Sequence, residues 1–114
     1  MATNYKVLGQ SCPSTTTSTV LYTVPAGTQT VVSTITVCDV GDAGGLFAFS
    51  IAVGGAADTP SQYLYGSPTN GIGMDPGDTF VATVGLTLGA GDVVRVRSSV
   101  ANEMTFQMFG SEIS

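Results

Sequence analysis

Charge is what this chain has least of. Charged residues make up 10% of its 114 residues, against roughly a quarter in ordinary soluble domains. Histidine is absent, and Lys6, Arg95 and Arg97 are the only cations. Surface charge normally keeps identical free particles apart. A chain that fills its polar positions with threonine, serine and glycine reads as one built to lie against something. The missing histidine and the single lysine remove most of the groups that transfer protons or activate a nucleophile. An enzyme is therefore not expected, and no catalytic residue or cofactor is assigned. The net charge of −5 argues against a nucleic-acid partner, because phosphates need a basic footprint.

Other absences set the compartment. The opening residues, Met1 to Lys6, lack the apolar core of a secretory signal. The most apolar stretch, Leu46 to Ala57, contains two glycines and falls short of the roughly 20 residues that span a bilayer. The expectation is synthesis and retention in a cytoplasm, with no membrane partner. Cys12 and Cys38 are the two cysteines. A reducing compartment favours free thiols over a disulfide between them, and their spacing is not that of a metal site.

What the chain does have is strand pattern. No stretch keeps an apolar period of 3.6 residues, so helices are not expected. In Leu46 to Val53, Phe47, Phe49, Ile51 and Val53 alternate with Ala48, Ser50 and Ala52, the mark of a strand with its aromatic face inward. Asp78 to Leu88 repeats the alternation, with Phe80, Ala82, Val84, Leu86 and Leu88 on one face. Thr28 to Cys38 places Val31, Ile35 and Val37 opposite Thr34 and Thr36. Asp92 to Ser98 sets Val94 and Val96 against Arg95 and Arg97; Glu103 to Phe109 sets Met104, Phe106 and Met108 against Thr105 and Gln107. Weaker strands are expected at Tyr5 to Gly9, Thr19 to Val24 and Gln62 to Tyr65.

Turns separate these runs: Pro25-Ala26-Gly27, Gly41 to Gly45, Asp75-Pro76-Gly77-Asp78 and Gly89-Ala90-Gly91-Asp92. Proline fixes φ and glycine supplies positive φ in such turns. About eight short strands with turn signals between them point to an all-β antiparallel sandwich, jelly-roll-like or immunoglobulin-like. The chain reads as a single domain over 1–114. It has a short N-terminal arm at about 1–10 and a loose, proline- and glycine-rich excursion at about 54–78. That excursion is the expected place of contact with a neighbour.

Few residues offer chemistry. Asp39, Asp42, Asp75 and Asp78 bracket two turns and are weak candidates for a calcium site; aspartate is also common in turns for local hydrogen bonding. Arg95 and Arg97 share the outer face of one strand. They suit either a solvated surface, with Thr105 and Gln107 as cross-strand neighbours, or an intersubunit contact. Tyr63 and Tyr65 alternate beside the excursion and could anchor an interface, stack on a sugar or close the core.

Several runs carry a family resemblance. Leu21-Tyr22-Thr23-Val24-Pro25-Ala26-Gly27-Thr28, with Val31 to Cys38 after it, resembles the opening of small β-sandwich virion proteins of tailed bacteriophages. Leu86 to Val94 and Phe106 to Ile113 resemble the second half. The similarity runs through nearly the whole chain and is greatest to short structural proteins of cyanobacterial and marine phages. Asp39 stands where an asparagine would be expected. The resemblance implies a virion structural protein: a capsid decoration (cement) protein that bridges copies of the major capsid protein, with itself as a second partner in a homotrimer. The alternatives are a tail, neck or fibre component and a carbohydrate-binding adhesion module. No catalytic residues come with the family.

Overall fold

A computed structural model describes residues 2–114. The strands, in chain order, are β1 (Thr3–Ser11), β2 (Thr19–Thr23), β3 (Gln29–Asp39), β4 (Gly45–Ala52), β5 (Tyr63–Tyr65), β6 (Ile72–Met74), β7 (Thr79–Leu88), β8 (Val93–Ser98) and β9 (Met104–Ile113). Two antiparallel sheets pack as a sandwich. One runs β1-β9-β3-β7 and the other β2-β8-β4-β5, with β6 also on β4. β5 pairs with Phe49 and Ser50 while β6 pairs with Gly45 to Phe47, so the two occupy one strand position along the same edge of β4. Eight positions in this order are those of a jelly roll.

The alternation expected for β4, β7 and β9 is what builds the core, except that Val53, expected on the inner face of β4, lies past the end of the strand and is exposed. Phe47, Phe49, Phe106, Met104, Met108, Val94 and Val96 are almost fully buried between the sheets. The Phe49 and Phe106 rings meet nearly edge-on at 5.5 Å, and Phe80 sits 5.1 Å from Phe47. Such pairs add about 0.5–1.5 kcal/mol each to the burial of their area.

Four readings change. Val31 points outward, not inward. The register of β3 slips between Val32 and Thr34, a β-bulge that flips the phase, so Val32, Ile35 and Val37 form its inner face. The N-terminal arm is β1, paired with β9 from Thr3 to Ser11. A ninth strand arises because residues 66–71 break one strand position into β5 and β6. Finally, the cross-strand partners of Arg95 and Arg97 are Ser50 and Ala48 on β4; Thr105 and Gln107 lie in the other sheet.

Candidate interaction surface

The two sheets differ in what covers their outer faces. On β4 the outward residues Ala48, Ser50 and Ala52 are at most 1% exposed, and only Leu46 at the start of the strand is open. They are buried because the excursion folds back over its own sheet. Arg97 donates from its guanidinium to the carbonyls of Ser67 and Asn70, at 2.7 and 2.8 Å. Arg95 donates to the carbonyls of Ala56 and Gly55, at 2.9 and 3.3 Å. The loop comes so close that a Cβ on Gly71 would lie 2.5 Å from the Phe47 carbonyl oxygen. Both arginines thus hold down a roof made by this chain, on the outer face where the sequence placed them. Tyr63 donates to Asp58 at 2.9 Å, and burial pushes the Tyr63 hydroxyl pKa up. Tyr65 turns inward onto Phe80 at 5.1 Å. Neither ring stands out as a flat stacking platform.

The sheet β1-β9-β3-β7 has no such cover. Its outward residues follow from the registers: Tyr5 and Val7 on β1; Thr105, Gln107, Phe109 and Ser111 on β9; Val31, Thr34, Thr36 and Cys38 on β3; Thr79, Val81, Thr83 and Thr87 on β7. None is charged. Tyr5 is 85% exposed, Val81 60% and Val7 46%. Tyr5, Val7, Val31 and Phe109 line a shallow apolar groove. Lys6 borders it, but its ammonium is held at 3.1 Å by Glu112. The Glu112 carboxylate also accepts from the Tyr22 hydroxyl. These two donors, Tyr22 first, hold the carboxyl below its ordinary range. Burial, with Glu112 alongside, pushes the Tyr22 hydroxyl up to about 12.

The acidic turns meet at one end of the sandwich. The Asp39 amide donates to the Asp78 carbonyl, and Gly77 donates to the Asp39 carbonyl. The closest carboxyl to Asp39, however, is one that sequence reasoning missed. Glu103, 4% exposed, accepts from the amides of Ala43 and Gly44 at 3.2 and 2.9 Å and lies against Gly41, leaving no room there for a side chain. Asp39 is 1% exposed, and its Oδ2 has no N–H donor. A proton kept on the Asp39 carboxyl beside Glu103 accounts for the opposite shifts of the two groups. Desolvation first, then Glu103, pushes the Asp39 carboxyl up to about 6, and the Glu103 carboxyl falls below its ordinary value because Asp39 donates to it. Asp42, Asp75 and Asp78 are exposed, and Asp78 accepts from the Asp75 amide at 3.0 Å, an ordinary turn bond. Among the described residues, no three acidic, histidine or cysteine side chains are grouped to hold a metal ion. Cys12 and Cys38 are free thiols, and no helix is long and apolar enough to cross a membrane.

No family model matches the chain, and no curated protein does. A similar solved structure is the crystal structure of a pentameric capsid protein isolated from metagenomic phage sequences, 18% identical, with a TM-score of 0.38. The match covers 96% of this chain and 59% of that one, so this chain spans less than two thirds of the other protein's length. At that TM-score the likeness carries no argument about function.

Proposed function

We propose that this chain is a structural protein of a phage particle that decorates the assembled head and bridges copies of the major capsid protein. The observation that carries this reading is the outer face of β1-β9-β3-β7, which spans four strands without a charged side chain. Threonine, valine and aromatic side chains on a broad sheet can be buried against protein at little desolvation cost, whereas each buried charge would need a partner. The sequence resemblance to small phage virion proteins supports the same role. So does the jelly-roll strand order, a fold-level analogy, since many viral capsid domains use it. The protein works in many copies, self-associated, with a trimer as the state the resemblance implies. Repetition over a regular lattice turns modest single contacts into firm attachment. Its place is the virion.

Cryo-electron microscopy of the particle that carries this chain tests the proposal. Density on the outer head surface, in fixed ratio to the major capsid protein, is the expected result. A few copies confined to the neck, tail or fibres would replace it with the tail-component reading. Absence from purified particles would end both.

A further inference from the structure

We infer that the outer face of β1-β9-β3-β7 packs against the same face of a second copy of this chain, across a twofold axis. The inference rests on reading the protein as an assembling part; it adds the surface and the partner, and it puts a twofold pair in place of the trimer that the resemblance implies. Charge selects the partner. Two copies each carry −5 and can approach closely only where no carboxylate points at the other. All the acids lie off this face: at the turns, under the loops, or bound to Lys6 and Tyr22 at the sandwich end. A partner that presented charge to the face would lose its solvation and gain no counterion. The centre of the other sheet's outer face is already occupied by the excursion and its arginines, leaving only separate apolar side chains such as Val20 and Leu46 exposed at its margins. The surface that matches an uncharged, threonine- and valine-lined sheet is therefore the same sheet on another copy.

Size agrees. The strands are nine to eleven residues long. Four such strands about 4.8 Å apart cover on the order of 600 Å². Two facing copies thus bury on the order of 1,200 Å², above the roughly 1,000 Å² that a specific interface needs. Tyr5, Val7 and Val81 supply exposed apolar side chains at opposite margins of the face, so a twofold brings each margin onto the sheet of the other copy. Such an isologous contact closes at two copies; a closed trimer needs two different patches.

Sedimentation equilibrium of the purified full chain tests this, with Val81→Lys and Tyr5→Lys beside it. A dimer is expected for the unaltered chain. Each lysine places like charges on both sides of the axis and is expected to weaken the dimer at least about tenfold. Far-UV circular dichroism, and the melting temperature at a concentration too low for association, should stay unchanged, since both sites are exposed; Thr83→Lys replaces either variant that melts early under those conditions. Val53→Lys, at a position 74% exposed outside this face, should leave the dimer intact. A monomer at every concentration, a trimer, or a dimer indifferent to all the face lysines would overturn the inference. A monomer whose attachment to phage heads is abolished by Val81→Lys would assign the face to the head protein, leaving the proposed function standing. Conversely, a face-dependent dimer absent from phage particles would support the pairing and refute the virion role.

Discussion

β4 and β7 carry the same kind of alternation, yet one outer face is sealed and the other is open. Ala48 on β4 is 1% exposed, whereas Val81 on β7 is 60% exposed. The difference does not come from side-chain polarity, because the sealed residue is small and the open one is larger and more apolar. It comes from what the connecting chain does next. After β4 the chain wanders for ten residues and returns as β5 and β6, and its loops lie back over the sheet. Only the sealed sheet carries arginines, and they are spent on loop carbonyls. A charge depletion that is general in composition is thus complete on one surface, which is the surface left bare.

The comparison can be broken most directly by lifting the roof. Gly71→Ala puts a methyl group against the Phe47 carbonyl and should destabilise the fold by about 3 kcal/mol, as overpacking does, read as a lower urea midpoint. Arg97→Ala leaves two loop carbonyls without their donor and should cost about 2 kcal/mol. Hydrogen exchange should quicken at residues 66–71 and leave β1 and β9 protected. Arg95→Ala should do the same more weakly at residues 55 and 56, because its bonds are more exposed and one is longer.

A subtler effect concerns the passage between the sheets, where the β3–β4 turn is tied to Glu103. Asp39 has its folded pKa raised to about 6, so its contribution is greatest below its ordinary value and is lost as pH rises through about 6. Glu103 has its pKa lowered, so its contribution is present above its ordinary 4.5 and is lost as pH falls. The two contributions overlap best near the ordinary carboxylate values, and the stabilisation from Asp39 declines from there toward pH 6. The melting temperature should therefore drop between about pH 5 and pH 8. Asp39→Asn, which donates at any pH, should flatten that drop. A curve unchanged by the substitution would remove the pair from the account.

The smallest effect sharpens the contrast from the bare side. Thr36→Val or Thr83→Val on the open face should change stability by no more than about 0.5 kcal/mol, measured by urea unfolding at a concentration too low for association. Ala48→Val, under the roof, should cost more, because Gly66 packs so near that even one Cβ there would lie 2.9 Å from the Ala48 methyl carbon.

Much of the fold was legible in order of signal strength. The alternation in β4, β7 and β9 marked both the strands and their buried faces, because a two-residue period is a direct consequence of the pleat. β6 was illegible: three residues among glycines and prolines show no period, and the segment is a strand because β4 offers it an edge. The outward turn of Val31 was illegible for a different reason, since a bulge changes phase without leaving a mark in composition. The candidate residues fared according to range. Arg95 and Arg97 could be placed on an outer face from spacing, but their partners are about thirty to forty residues away in sequence. Asp39 was noticed for its turn, while Glu103, which faces it, is more than sixty positions along the chain and sits in an unremarkable turn of its own.

By itself the sequence determined that this chain forms an all-β sandwich, poor in charge and without histidine, with aromatic inner faces. Those properties follow from local period and composition, which every residue carries with it. The tertiary structure alone decided the jelly-roll order, which carboxyls meet, and which of two similar outer faces is covered. Each of these depends on contacts between segments far apart in sequence, and a local pattern holds no record of them.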